Sequence, residues 1–354
     1  MLESGTLGTK GNTQVVIPDA TENYGAQRDP PEKSIPVCTL KNFPNQIAHT
    51  LQWARDYFEG VFFQGAEDVN NYLHGASENK IETLSNVQNY LVANRPRTYE
   101  DCVRHTRLAF NNLFNNQILQ LLHNFPADQV TSTGQPFWSG SKRCPNAVKF
   151  NVDGTCEQDL RNAFNFLVSG SNLLASVYGI TGKSWSEEDY FRSVLEEVIV
   201  PDFAPADGVK IAVTTEEAEQ SAAGGGDNEE AEAKAILDTL PQPSELAGFR
   251  LNPIEFDKDI DLHMQFVTAC SNLRAMNYSI PTEDLHVSRG IVGRIIPAIA
   301  TTTALVTGLV CLELYKVAFL KEPKIDVFKS AFLNLAVPFV TLSEPTPPAS
   351  TKVS

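Results

Sequence analysis

The sequence predicts a mainly α-helical domain inserted into an α/β framework whose remaining parts lie outside this stretch of chain. Three observations lead there. Strand-like runs sit near both ends: GNTQVVIP, opened by Gly11 and closed by Pro18, and FKSAFLNLAVPFVTL, in which apolar residues alternate. Between them the apolar residues recur chiefly at helical spacing. The size also fits, because 354 residues with 42% hydrophobic content exceed a usual domain of about 100–200 residues and can fill one large core or two smaller ones.

Along the chain, residues 19–37 are polar, hold three prolines and lack apolar periodicity, as an exposed connection would. A helix is then signalled from Asn45, which can cap it, with Ile47, Leu51, Ala54, Phe58 and Val61 on one stripe. Further helices are predicted at Ile81–Ala93 and at Tyr99–Leu122, the latter opened by the capping pair Thr98 and Asp101. Two more come at Glu157–Tyr178 and at Glu187–Val198, capped by Ser186 with Asp189. The triple glycine and acidic run of residues 216–234 read as a flexible, solvated insertion. Helices at Asp261–Ala275 and Ala298–Lys316 bracket a loop at Asn277–Asp284, before the strand-like run and a Pro/Ser/Thr tail. No internal repeat is visible.

Composition excludes several function classes. With 28 Lys+Arg against 43 Asp+Glu the net charge is −15, and no basic cluster could grip a phosphate backbone, so no nucleic-acid partner is expected. No membrane partner is expected either: Ile295 to Val317 is apolar, but it contains Pro297, three consecutive threonines and Glu313, as a core helix would. The N-terminus lacks the pattern of a secretory signal, which points to an intracellular site. The cysteines at 38, 102, 144, 156, 270 and 311 form no C-x-x-C pair and are expected as free thiols. The six histidines show no metal-ligand spacing, so no metal is expected. Neither a P-loop nor a dinucleotide fingerprint is present, and GTLGTKG reads as a turn, which leaves no cofactor site in this chain.

Cys38 stands apart from the other cysteines. It lies in the Pro-flanked SIPVCTLKNFPN, read as a loop leading into the positive end of the Asn45 helix, with Lys33 and Lys41 nearby in sequence. Such a thiol has reason to ionise more readily than an ordinary one. Thr39 can donate a hydrogen bond to it, and His49 lies one turn into the helix. From the residues alone two readings stand, an ordinary half-buried thiol or an activated nucleophile. Cys270 and Cys311, inside apolar helical runs, read as core side chains.

The run SIPVCTLKNFPNQIAHTLQWARDYFEGVF resembles the active-cysteine segment of ubiquitin-activating enzymes. The similarity continues in order through LLHNFP, PFWSGSKRCP, FVTACSNLRAMNY, GRIIPAIATTTA and FLNLAVPF. Enzymes that activate other ubiquitin-like proteins share a sparser pattern, which is matched at Cys38, Thr39, Lys41, Asn42, Pro44, His49, Trp53 and Ala54. The resemblance implies a mainly α-helical catalytic-cysteine domain inserted into partial α/β adenylation-domain elements. In that scheme residues 1–18 are an adenylation-domain strand segment, 19–37 the crossover loop and 38–281 the catalytic-cysteine half-domain. Residues 282–344 return to the adenylation domain, and 345–354 are a tail.

The resemblance makes Cys38 the catalytic residue, with Thr39, Asn42 and His49 in support, and ubiquitin and ubiquitin-conjugating enzymes the partners, in cytoplasm and nucleus. It places the ATP-binding part, which with Mg serves the complete enzyme, and the domain that recruits the conjugating enzyme outside this chain. Two alternatives stand beside it: a non-catalytic module that binds ubiquitin or conjugating enzymes, and an enzyme for another ubiquitin-like modifier. With no phosphate-cradling loop, the chain alone is expected to show no ubiquitin-dependent ATP–pyrophosphate exchange; measurable exchange would refute this.

Overall fold

The computed structural model describes residues 1–23, 35–76, 80–131, 133–150, 157–183, 187–209, 211–213, 217, 229–294, 299–321 and 324–348. It is mainly helical and carries one small antiparallel sheet. The chain divides into two units, Ser34–Gly293 and a second made of Met1–Lys33 with Arg294–Ser354.

The larger unit begins with the short helix α1 (Val37–Lys41), followed by α2 (Ile47–Phe58). Through a π-helical turn at Glu59–Gln64, α2 runs on into α3 (Gly65–Leu73). The reason lies in the apolar spacing. Ala54, Phe58, Phe62 and Ala66 are all buried and four apart, and a four-residue step drifts by about 40° on a 3.6-residue helix. The wider π turn takes up that drift and keeps the stripe on the core. It also makes Phe62 the buried residue and leaves the expected Val61 only partly so.

Similar turns at Asn89–Ala93 and Asn112–Asn116 extend α4 (Ile81–Gln88) and join α5 (Tyr99–Asn111) to α6 (Gln117–Asn124). The capping box at α5 is present: Thr98 Oγ1 accepts from the Asp101 N–H at 3.2 Å, and the Asp101 carboxylate accepts from the Thr98 N–H at 3.1 Å. Then come α7 (Glu157–Tyr178), α8 (Glu188–Glu196), α9 (Glu229–Leu237), α10 (Asp261–Asn277) and α11 (Leu285–Val292). The expected Ser186 cap and the centre of the acidic insertion lie outside the described residues.

The C-terminal part of that insertion needs correction. Residues 229–234 belong to α9, which packs on α4 and buries Ala233, with Ile236 partly buried behind it. The acidic residues disguised this short apolar face.

At the centre, α10 packs on both α2 and α7. Phe266, 1% exposed, stacks on Phe166 at 5.1 Å and meets Phe62 edge-on at 5.1 Å. Gly170 of α7 permits the close approach, since a Cβ there would lie 2.8 Å from Thr106 Cγ2 and 3.1 Å from the Phe266 ring.

In the smaller unit, β1 (Leu2–Leu7), β2 (Lys10–Val15), β3 (Ser330–Asn334) and β4 (Phe339–Ser343) form an antiparallel sheet in the order β1-β2-β3-β4. Leu7 pairs with Lys10, so Gly8 and Thr9 make a two-residue turn, and Gly8 takes φ 57°. The glycine-rich GTLGTKG is thus a hairpin, with a strand on each side of the turn where one strand was expected. Helix α12 (Ala300–Phe319) lies against β1 and β2, where the bare backbone of Gly11 makes room for Val306.

Helix α12, expected as a core helix of a larger domain, is largely uncovered in this chain. Only Thr302, Val306 and Glu313 are buried, and Leu312, Tyr315 and Phe319 are exposed. By length and composition it is the one described helix that could cross a membrane. Buried Glu313 is satisfied by Lys316 at 2.6 Å and by the Lys329 N–H at 3.1 Å, which accounts for a charge in so apolar a run. Its expected opening residue, Pro297, lies outside the described residues.

Removing the Phe266 ring should cost about 3–5 kcal/mol through lost transfer energy and the cavity left behind. Denaturant unfolding of Phe266→Ala checks this, with Phe339→Ala on the exposed sheet face, expected within about 0.5 kcal/mol of the parent, as the control.

Candidate functional site

Cys38 does not lie in a loop at the tip of the next helix, as the sequence suggested. It is the second residue of α1, half-buried, with Pro36 as N-cap and no side-chain cap. The Cys38 carbonyl accepts from the Asn42 N–H at 2.9 Å and the Phe43 N–H at 3.1 Å, which closes the helix. Five residues are too few to nucleate a helix unaided, so α1 depends on the anchors just beyond its C-terminal end. Phe43 is buried, its ring 6.0 Å from Phe137 and 5.9 Å from Trp138, with the Lys142 ammonium 5.1 Å from its centroid. Pro44 is buried beside it.

The other residues singled out take distinct places. Thr39 is half-buried next to the thiol, and its hydroxyl has no hydrogen-bond partner among the described residues. The Asn42 side chain is turned away to the 211–213 segment, where Nδ2 donates to the Ala212 carbonyl at 3.2 Å.

His49 is in the first turn of α2, and its Nδ1 accepts from the Asn45 backbone N–H at 3.3 Å. Asn45 therefore is not the cap; Gln46 holds that position without a side-chain bond. The imidazole does the opposite job, reaching back to satisfy the connection between α1 and α2. Because Nδ1 is an acceptor, the neutral ring carries its proton on Nε2. Burial holds His49 below the usual histidine value.

Two residues that the sequence did not single out meet the end of α1. Arg274 of α10, 3% exposed, donates from Nη2 to the Lys41 carbonyl. Its guanidinium lies 4.6 Å from the Trp53 ring centroid and 5.2 Å from that of Tyr278. Tyr278 donates its hydroxyl to the Asn42 carbonyl at 2.7 Å. Its phenol is buried, which raises it above its ordinary value and keeps it a donor. The available signal was an arginine amid the apolar run FVTACSNLRAMNY, which marks a buried cation.

A cavity of about 200 Å³ opens beside these groups, lined by Asn42, Gln117, Leu121, Ile211, Arg274 and Tyr278 among others. Larger cavities of about 370 and 810 Å³ in the same unit are lined by none of Cys38, Thr39, Asn42 and His49.

Three of the remaining described cysteines are held in the thiol form by burial. Cys102 and Cys270 are buried, which pushes the thiol of Cys102 up to about 12 and that of Cys270 up as well; burial also raises Cys144. Cys311 lies on α12 in the other unit, and Cys156 is outside the described residues. Among the described residues no three of His, Cys, Asp and Glu gather as a metal site would require.

Comparison with known proteins places this arrangement. The family described as "Ubiquitin-activating enzyme, SCCH domain" matches residues 44–289, more than half the chain. The chain belongs to this family. The match begins six residues beyond Cys38, so α1 itself precedes the matched span.

Full-chain relatives cover α1 as well. The "Ubiquitin-activating enzyme E1 1" of Candida albicans is 50% identical over 98% of this chain. The human "Ubiquitin-like modifier-activating enzyme 1" is 51% identical over 98%, and the Schizosaccharomyces pombe "Ubiquitin-activating enzyme E1 1" is 49% identical over the whole chain. The alignments take in 34%, 33% and 35% of those relatives, so the chain spans about a third of their length.

The SCCH-family unit carries a pH dependence that originates in its histidines. Burial lowers His49, His105 and His263 from 6.5; Asp257 opposes the effect at His263, and at His105 Asp101 opposes it while Arg104 reinforces it. Below about pH 6.5 the unfolded chain binds protons that the folded chain refuses, so this stability is full above that pH and declines as pH falls through it. The thermal midpoint should therefore drop between about pH 7.5 and 5.5. His49→Gln, which keeps an acceptor for the Asn45 N–H and cannot titrate, should lessen the drop; an unchanged pH profile in this variant would remove His49 from the account.

Proposed function

We propose that this chain supplies the thioester-forming step of ubiquitin activation, with Cys38 as the nucleophile. The observation that carries the reading is the half-buried Cys38 on a separately anchored helix, inside the segment that resembles the family's active-cysteine motif. Family membership and the relatives' names supply the reaction class. In this reading the Cys38 thiolate attacks the carbonyl carbon of the ubiquitin C-terminal adenylate. The C–S bond forms, the acyl C–O bond to phosphate breaks, AMP departs with the electron pair, and the thiol proton goes to solvent.

The free hydroxyl of Thr39 is the donor best placed to meet the thiolate or the developing oxyanion. Asn42, committed to Ala212, would act by fixing the end of α1 unless that contact opens. His49 holds the α1–α2 connection, which suits a supporting role; an acyl adenylate already has a good leaving group and needs no obligatory general base. ATP and Mg would act in adenylation-domain parts outside this chain, into which the helical unit would be inserted. Conjugating enzymes would take the thioester onward, in cytoplasm and nucleus.

The test uses a full-length enzyme carrying this segment. Cys38→Ala should abolish the ubiquitin thioester and leave ubiquitin-dependent ATP–pyrophosphate exchange intact, and Cys38→Ser should give a more stable oxyester slowly. Thr39→Ala should slow single-turnover thioester formation by up to about 100-fold, the loss of one donor at a well-organised site. His49→Ala should retain part of the rate between about pH 6 and 9, a range that brackets the ordinary His and Cys values. A thioester formed by Cys38→Ala would overturn the assignment.

A further inference from the structure

The short helix that carries Cys38 rests against α2 but buries no side chain of its own. It spans five residues, none of them buried, and lacks a side-chain cap. The carbonyls at its C-terminal end would face away from any intrahelical partner. Two side chains of the α10 region meet them: Arg274 donates to the Lys41 carbonyl and Tyr278 to the Asn42 carbonyl.

Arg274 is unusual among the charges of this unit. It is almost wholly buried, and no carboxylate among the described residues pairs with it. Its Nε has no hydrogen-bond partner among the described residues. An unneutralised buried guanidinium is costly, and the compensation visible here is the two aromatic faces and the negative end of α1. A structural cation could pair with a carboxylate anywhere in the core. This one is spent on the last carbonyl of the nucleophile's helix, one turn, or about 5 Å along the axis, from Cys38.

We propose that Arg274 is a positioning residue for Cys38, with Tyr278 as its partner: together they hold the C-terminal turn of α1, and so the register and direction of the thiol. The proposal rests on the reading of Cys38 as the nucleophile. Trp53 belongs to the same device, because its ring fixes the guanidinium that bonds Lys41. The clamp is built on α10, the most deeply buried of the described helices, and so ties the sulfur's position to the core.

The experiment uses a full-length enzyme carrying this segment, with Arg274→Met, Arg274→Lys and Tyr278→Phe, and pairs two readouts. Hydrogen exchange of the Asn42 and Phe43 amides, which donate to the Cys38 carbonyl, reports α1 itself. Single-turnover thioester formation, with its dependence on ubiquitin concentration, reports the nucleophile.

Arg274→Met should speed exchange at those amides by about tenfold or more and cut the maximal rate comparably, the scale of losing a charged hydrogen bond. The ubiquitin concentration for half-maximal rate and ATP–pyrophosphate exchange should not change. Arg274→Lys should restore part of both, and Tyr278→Phe, which removes one hydroxyl from a retained ring, should show a smaller effect in the same direction without risk to the fold. Unchanged α1 exchange, faster exchange with an unaltered thioester rate, or a loss spread evenly over the whole unit would each overturn the proposal. Loss of the thioester in Cys38→Ala with normal kinetics in Arg274→Met sinks this proposal alone, whereas a thioester that survives Cys38→Ala sinks the reading of Cys38 and the proposal with it.

Discussion

A helix buried on every side must find partners for its polar groups inside the protein, and in the larger unit that demand falls on α10. Thirteen of its residues are buried, among them Ser271, Asn272, Arg274 and Asn277. Ser271 shares a 2.9 Å hydrogen bond with Thr50 of α2. Asn272 donates to the Glu283 carbonyl at 2.9 Å and accepts from the Glu283 N–H at 3.1 Å, which fixes the stretch before α11. Asn277 donates to the carbonyls of Phe114 and Asn146 at 2.9 and 2.7 Å, and Arg274 reaches the end of α1. Each bond replaces one with water and contributes only about 1 kcal/mol net, but leaving any of these groups unmatched would cost more. The buried polar face of α10 therefore selects which segments may lie beside it, while the phenylalanine cluster around Phe266 supplies the cohesion.

The same division of labour shapes the environment of Cys38. The core cysteines gain packing and lose reactivity, because burial raises the cost of a thiolate. A thiol with the role proposed for Cys38 cannot be placed so deeply. Carrying it on a short surface helix solves the problem of access and creates one of order, since such a helix frays without support. Phe43 and Pro44 on one side and the α10 clamp on the other supply that support. His49, by satisfying the Asn45 N–H, stiffens the connection to α2.

Local rules made much of this legible in advance. The Thr98–Asp101 capping box lies within four residues, and the apolar stripes of α2, α5, α7 and α10 announce themselves at helical spacing, so these elements arise from short-range chemistry. The family resemblance was legible too, and the matched residues 44–289 and relatives at about half identity bear it out. The errors share one cause. Asn45 has the chemistry of a cap, yet the tertiary path gives the position to Gln46; α9 has an acidic sequence, yet its few apolar residues fall against α4. The exposed apolar residues of α12 are no such error: burial needs a second surface, and the described unit covers only one edge of that helix.

By itself, then, the sequence determined the helical middle, the strand-bearing ends and the candidate nucleophile, because each rests on residues close together in the chain or on a contiguous motif. Only the tertiary structure decided that Cys38 rides on its own helix and that the side chain of Asn42 is committed to Ala212. It alone joined Arg274 and Tyr278 to that helix, across sequence separations of 233 and 236 residues. No periodicity or spacing encodes such a pairing, because a backbone carbonyl is the same at every residue. Which carbonyl a buried guanidinium meets is settled when the core packs around α10.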